Sequence, residues 1–137
     1  MSKPEFIRAN WDWDKDYPMC QVVKCGDFLF LTGQVAFDLN GEIVGRNDMK
    51  AQARQIFSNM QHVLSRVGCD LSSVVRLTNY FATPMTDINV TKQYWEVRRE
   101  FFGDHKPAST GMQVAALMIP EMLLEVDAIA YAPTSKS

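Results

Sequence analysis

The spacing of apolar residues changes near Asp48, and this change constrains the fold more than any other feature. Before it, short apolar runs alternate with turn residues, as in β-strands. After it, apolar residues recur at three- and four-residue steps as far as Gly68. With Asn47 or Asp48 as the N-cap, this pattern predicts a helix of about twenty residues that buries one face.

A second helix with the same period is predicted to begin after Thr86 or Asp87 and to end at Gly103. The segments around the two helices are rich in Val, Thr, Tyr and Phe and are bounded by turn residues. They predict β-strands at residues 21–24, 28–34, 42–44, 73–83, 109–117 and 122–131.

This order of elements predicts an α+β fold in which two helices lie on one face of a single mixed sheet. The second face of strand 109–117 carries small and mixed side chains, which suit contact with another subunit or with water. Residues 1–18 are predicted to form an extended arm whose aromatic residues pack on the body, and 133–137 a frayed tail. Because no linker or repeat interrupts the chain, 1–137 is predicted to be one domain.

Charge and hydropathy exclude several classes of partner. The chain has 14 basic and 16 acidic residues, a net charge of −2, so it lacks the basic surface that nucleic-acid phosphates require. Its longest apolar run, 114–119, is far shorter than the ~20 residues of a spanning helix. Residues 1–19 lack the apolar core of a secretion signal. We therefore expect a cytoplasmic protein with no nucleic-acid or membrane partner.

The common cofactor and metal motifs do not occur in the sequence. Neither GxGxxG nor GxxxxGK[ST] is found, so no phosphate-binding loop is predicted. The DxDxD pattern at residues 12–16 resembles the start of a calcium loop, but Tyr17 stands where that loop requires glycine. The three cysteines lack the spacing of a zinc site and are predicted to be free thiols: Cys20, Cys25 and Cys69.

Three short segments carry candidate chemistry. Glu125 and Asp127 lie two apart in the last strand and share a face, where a carboxylate is either solvated or buried with a raised pKa. The segment PASTG at 107–111 opens a strand with small side chains, which either leave space for a ligand or allow close backbone packing. At the end of another strand, the Gly33 amide can donate to a carboxylate.

These segments and their neighbours resemble the Rid/YjgF family, the RidA-like enamine and imine deaminases. The matching blocks follow the family's order at residues 26–35, 51–56, 67–68, 99–102, 107–109 and 125–130. The resemblance implies a chorismate-mutase-like subunit that forms a homotrimer, with small-molecule pockets in the clefts between subunits. It also implies that the protein uses no cofactor and no metal.

The resemblance assigns roles to three residues. In the family, a glutamate and a backbone carbonyl hold the water that attacks an imine carbon, after which ammonia leaves. Glu125 matches this glutamate, and Gly33 matches the glycine of the strand-end motif. The arginine that binds the substrate carboxylate falls on Ser109, whose hydroxyl cannot replace paired N–H donors. The chain is therefore similar to the arginine-lacking subgroups of the family.

The family's cysteine, tyrosine and asparagine positions are occupied here by Gly111, Met19 and Trp95. One plausible substrate class is a ring-opened amino acid from aromatic or N-heterocycle breakdown. The alternatives are a non-catalytic trimer that binds small metabolites and a ribonuclease, which the acidic charge disfavours. We predict that the cleft keeps Glu125 and recognises a larger or differently charged substrate through Ser109, Thr110, Gly111, Trp95, Met19 and Tyr17.

Overall fold

The computed structural model describes residues 3–133. Within them lie two long helices, six strands and a short 3₁₀ turn at Leu71–Ser73. In chain order the elements are β1 (Glu5–Ile7), β2 (Val22–Cys25), β3 (Phe28–Gln34), α1 (Met49–Ser65), β4 (Val74–Phe81), α2 (Ile88–Phe102), β5 (Ala108–Gln113) and β6 (Leu124–Tyr131).

The six strands form one sheet in the order β1-β2-β3-β6-β4-β5. Strand β5 runs parallel to β4 and the other neighbouring pairs are antiparallel, so the sheet is mixed. A parallel pair requires a crossover connection, and α2 provides it between β4 and β5. The predicted α+β class, with two helices and a single mixed sheet, is confirmed.

Both helices begin at predicted caps. The Asp48 side chain accepts a hydrogen bond from the Ala51 N–H at the start of α1, and Asp87 accepts one from the Asn89 N–H at the start of α2. Gly103 ends α2 with a φ of 56°, a conformation that glycine adopts without steric cost. The buried faces of both helices join one hydrophobic core with the sheet.

Side chains on the central strands alternate between two faces of the sheet. The even-numbered residues of β6 are at most 2% exposed and lie beneath the helices. The opposite face, which we call the open face, carries the odd-numbered residues of β6. It also carries the rings of Phe28, Phe30 and Tyr131, each 45% exposed. Within the described residues, this face is therefore partly exposed and partly apolar.

Two predicted strands differ in the structure. Residues 42–44 form no strand, and Ile43 makes only an isolated bridge to Phe37. Backbone hydrogen bonds join residue 38 to 42 and residue 44 to 36, and the Asp38 side chain accepts from the N–H groups of residues 40 and 42, so the segment is a tight turn closed by one bridge. The strand predicted to reach residue 117 ends at 113, because its partner β4 ends at Phe81.

The N-terminal arm was predicted to be extended and without a regular element, but it contains one strand. Residues 5–7 form β1, which pairs with β2 at the edge of the sheet. The Trp11 ring is buried and stacks on Trp13 at 5.6 Å and on His62 at 5.3 Å, so two of the arm's aromatic residues do pack on the body. The predicted frayed tail lies outside the described residues, except for Pro133.

Candidate active site

A pocket of about 360 Å³ opens where the arm, the end of β3 and the loop before β6 meet. Among the described residues that line it, Glu125 is the one charged side chain. A mostly apolar pocket with a few polar groups is typical of small-molecule sites. The lining residues are Trp13, Tyr17, Met19, Gln21, Thr32, Gly33, Gln34, Val35, Phe37, Met118, Ile119, Met122 and Glu125.

Glu125 projects from β6 on the open face and lines this pocket. Its carboxylate makes no hydrogen bond or ion pair with any residue from 3 to 133. Burial raises the pKa of this carboxyl above its ordinary 4.5, and the negative charge of Asp127 raises it further. A carboxylate with a raised pKa and no protein partner is suited to accept a proton from a bound water.

Gly33 allows the Glu125 carboxylate to lie against the end of β3. A Cβ built at Gly33 would overlap Oε2 of Glu125 and lie 3.0 Å from its Cδ. The pairing of β3 with β6 is irregular between Leu31 and Gln34, which locally displaces the strand at this glycine. Any larger residue at position 33 would therefore push the carboxylate away.

A buried chain of polar groups fixes the pocket wall next to Gly33. Gln34 Nε2 donates to Gln21 Oε1 at 2.8 Å, and Gln21 Nε2 donates to Asp14 Oδ2 at 2.7 Å. Arg8 pairs with Asp14 at 3.0 Å. Both glutamines are at most 3% exposed, and a satisfied buried network holds its side chains in one arrangement. Gln21 was not a predicted site residue, although a glutamine within an apolar strand segment was an available signal.

Asp127 shares a strand and a face with Glu125 but has a different environment. The Tyr80 hydroxyl donates to Asp127 Oδ2 at 2.9 Å. This hydrogen bond raises the pKa of Tyr80, which burial and the charges of both carboxylates raise further. Asp127 thus accepts a hydrogen bond from a protein donor, Tyr80, whereas Glu125 accepts none from the described residues.

The predicted site residues do not all meet within one chain. Thr110 lies on the open face but does not line the pocket, and its Oγ1 accepts a hydrogen bond from Arg76 Nη2 at 2.6 Å. The pocket does bring together four of the predicted residues: Tyr17, Met19, Gly33 and Glu125.

Ser109, Gly111 and Trp95 lie on the other side of the sheet, at α2. Side chains alternate along β5, so Ser109 and Gly111 share the face of the buried β4 residues with which they pair. Trp95 belongs to α2 and is 46% exposed. Within one chain, Glu125 and Ser109 therefore lie on opposite faces of the sheet.

Ser109 contacts a residue outside the predicted set, Arg98. Arg98 is 7% exposed, and its Nη1 donates to Ser109 Oγ at 2.8 Å and to the Tyr94 hydroxyl at 3.3 Å. Its guanidinium carbon lies 5.0 Å from the centre of the Trp95 ring. The signal in the sequence was its position, four residues after Tyr94 on the apolar stripe of the helix.

Within residues 3–133, no group of three His, Cys, Asp or Glu side chains is placed to hold a metal ion. The three cysteines are free thiols. No helix in the described part of the chain combines the length and apolar character needed to cross a bilayer.

Comparison with known proteins gives the family. The family model described as Endoribonuclease L-PSP matches residues 15–132. A RutC family protein of Pyrococcus horikoshii is 38% identical over 115 residues, which cover 83% of this chain and 86% of that protein. The human 2-iminobutanoate/2-iminopropanoate deaminase is 29% identical over 113 residues, which cover 82% and 79% of the two chains.

A solved structure gives the same result. The crystal structure of the yeast protein YEO7 matches with a TM-score of 0.83 and 25% identity, over 95% of this chain and 99% of that one. The fold and the pocket define a small α+β protein with a site for a small molecule. The chain belongs to the Endoribonuclease L-PSP family, also called the YjgF/Rid family, so the predicted family is confirmed. This family includes imine deaminases, the human protein among them.

Proposed function

We propose that this protein is a cofactor-independent hydrolase that releases ammonia from enamine or imine metabolites. The observation that carries the proposal is Glu125, a carboxylate with no partner among the described residues, held against Gly33 in an apolar pocket. The presence of an imine deaminase among the relatives supports the same reaction class.

In the proposed reaction, Glu125 accepts a proton from a bound water while the water oxygen forms a bond to the imine carbon. The C=N electron pair moves to the nitrogen, which takes the proton from Glu125. Glu125 then takes the hydroxyl proton of the resulting carbinolamine and passes it to the amino nitrogen, so that the C–N bond breaks, ammonia leaves and a carbonyl product forms. An enamine substrate first takes up a proton on carbon to become the imine. The fixed contact with Gly33 positions the carboxylate for the first step.

The pocket walls support a substrate larger than 2-iminobutanoate. The Trp13 ring lies edge-on to the rings of Phe37 and Tyr17, with ring centres 5.1 Å and 6.2 Å apart, so aromatic rings form one side of the pocket. A planar, partly unsaturated molecule would bury its apolar surface against these rings. A ring-opened amino acid from aromatic or N-heterocycle breakdown meets this description.

The proposal includes a homotrimer of single-domain chains, 1–137, in the cytoplasm. Two observations support self-association. The open face leaves Phe28, Phe30 and Tyr131 half-exposed within one chain. Glu125 and Ser109 lie on opposite faces of one sheet, so a ligand that contacts both would have to bind between two copies.

One observation favours a second candidate function, a trimer that binds a small metabolite without turnover. Ser109 stands at the position of the family's substrate-binding arginine, which places the chain with the arginine-lacking subgroups in this proposal. The ribonuclease named in the description of the family has less support. The carboxylate of Glu125 is the charged group of the pocket, and it would repel RNA phosphates.

Ammonia release from a panel of imines and enamines, with ring-opened aromatic amino acids among them, tests the proposal. For Glu125→Gln we expect kcat/KM to fall about 10²–10⁴-fold, the usual contribution of a general base. Equal rates for wild type and Glu125→Gln contradict the deaminase. Saturable binding of the panel compounds without ammonia release would instead support the binding trimer.

Asp127→Asn is the matched control, because Asp127 lies on the same strand and face and has its own donor. We expect this variant to keep most of its activity. Because the charge of Asp127 contributes to the raised pKa of Glu125, the variant should also move the acid limb of the kcat/KM profile to lower pH. A pH profile identical to that of wild type contradicts this coupling.

A further inference from the structure

Arg98 is a buried cation that lacks a counter-ion in the described chain. It is 7% exposed, yet no carboxylate within residues 3–133 forms an ion pair with it. Its hydrogen-bond partners are two neutral hydroxyls, those of Ser109 and Tyr94. A charge removed from water costs free energy unless an opposite charge or several hydrogen bonds compensate it. The proposed deaminase mechanism makes no use of this residue.

One edge of the Arg98 guanidinium is free. Both hydrogen bonds that Arg98 makes start from Nη1, which leaves Nε and Nη2 without a protein acceptor in residues 3–133. Among the described residues, every side-chain nitrogen that is fully buried has a hydrogen-bond partner. Since Nε and Nη2 of Arg98 have none, both atoms keep some exposure to solvent. The Nε and Nη2 edge of arginine presents two parallel N–H donors, which match the two oxygens of a carboxylate.

Aromatic rings pack around the guanidinium of Arg98. Its carbon lies 5.0 Å from the ring centre of Trp95 and 5.8 Å from that of Phe102. Trp95 is 46% exposed, and Ser109 on the adjacent edge strand is also exposed. The charge is thus largely desolvated, while exposed residues on both sides of it place it next to the surface. A low local dielectric strengthens the attraction between a cation and an anion.

We infer that Arg98 binds the carboxylate of a small planar organic acid, through its Nε and Nη2 donors, with the body of the acid against the Trp95 ring. Ser109 and Tyr94 are positioning residues in this site, because their hydroxyls hold Nη1 and so fix the plane of the guanidinium. Ser109, which stands on β5 where the family has its substrate-binding arginine, therefore helps to hold Arg98, which comes from α2.

This inference names the acid-binding group of the proposed deaminase, and in that sense it rests on the proposed function. Its test does not, because binding is measured without turnover. If Glu125 proves dispensable for ammonia release, the deaminase proposal fails and carboxylate binding at Arg98 remains to be measured. If Arg98 proves dispensable for binding, this inference fails and the deaminase proposal stands.

The probe is benzoate, compared with benzamide, which has nearly the same shape but no charge. In nitrogen-15 NMR spectra of the full chain, benzoate should shift the Trp95 indole and Arg98 Nε signals in a saturable manner, whereas benzamide should not. In Arg98→Met the benzoate affinity should fall about tenfold or more, as expected for loss of charge-assisted hydrogen bonds. Arg99→Met is the matched control, because Arg99 is the adjacent, exposed arginine of α2, and it should bind as wild type does.

Arg98→Lys keeps the charge without the paired donors, so it should bind benzoate more weakly than wild type and serves as the test if Arg98→Met does not fold. Equal shifts by benzamide, unchanged affinity in Arg98→Met, or wild-type affinity in Arg98→Lys would each overturn the inference. The inference would also be overturned if Arg98 instead pairs with a carboxylate of a second copy. In that case benzoate shifts nothing, and Arg98→Met changes the oligomeric state measured by light scattering.

Discussion

Glu125 and Arg98 lie on opposite faces of one sheet, and each is a charged side chain without a counter-charge in the described chain. Their surroundings differ. The pocket partly desolvates Glu125 and gives it no donor, so the pKa of its carboxyl is raised and the group can exchange a proton. Arg98 is held by two hydroxyls and aromatic rings, which fix the plane of its guanidinium.

The difference separates two tasks that a small-molecule site must perform. A carboxyl with a raised pKa and no protein donor is suited to proton transfer, whereas a guanidinium whose plane is held by neighbouring groups is suited to binding and orientation. Because the sheet separates Glu125 from Arg98 within one chain, the two groups can serve one site only if that site lies between two copies. Three further experiments follow in order of decreasing effect, of which the first and third test the properties of Glu125 and the second tests whether the two groups serve one site.

Gly33→Ala should lower kcat/KM about 10²-fold, because the added Cβ displaces the Glu125 carboxylate and small misplacements of a reacting group have effects of this size. Ammonia release measures the effect. In a Glu125→Gln background the same change should cause almost no further loss, since the displaced group is already gone. Additive losses in the double variant would show that Gly33 acts independently of Glu125.

Mixing tests whether the two charges meet between copies. Glu125→Gln and Arg98→Met chains are assembled separately and then together by refolding an equal mixture. If a site takes Glu125 from one copy and Arg98 from another, random assembly restores both groups in about a quarter of the sites. Ammonia release should then rise well above that of either parent. Activity that stays at the average of the parents would place the two groups in separate sites.

The smallest effect concerns stability. The folded protein raises the pKa of Glu125, so the protonated form is favoured by folding. This contribution is complete below the unfolded pKa and is lost as pH rises through the folded value. Glu125→Gln cannot ionise, and its Tm relative to wild type should therefore rise by about a degree or two between pH 4 and pH 8.

The elements with strong local signals were predictable. Asp48 and Asp87 begin the helices because their side chains accept hydrogen bonds from N–H groups two or three residues later, which a sequence displays directly. The strand predicted at 42–44 was wrong, because a tight turn stabilised by the Asp38 side chain limits the pairing there to one bridge, that of Ile43 with Phe37. The strand at 5–7 was missed because its stability depends on pairing with β2, about seventeen residues away in the chain.

The candidate site was predictable only in part. Strand alternation placed Glu125 and Asp127 on one face. The sequence predicted that the Gly33 amide can donate to a carboxylate, whereas the structure brings the Glu125 carboxylate against Gly33 without a hydrogen bond between described residues. Local spacing carried no information on which carboxylate would lack a donor, since that depends on Tyr80 from a different strand. The position of Arg98 on an apolar stripe was visible in the sequence. Its contact with Ser109 was not, because it depends on how β5 pairs with β4 and on how α2 packs against that pair.

The sequence by itself determined the secondary structure of the long elements, the family and the pairing of Glu125 with Asp127 on one side of a strand. These depend on periodicity and on contacts a few residues apart, which any local window contains. The tertiary structure alone decided that Glu125 is desolvated beside Gly33 and that Arg98 is buried beside Ser109. Burial and charge compensation are set by strand register and helix docking, which bring together residues that the chain separates.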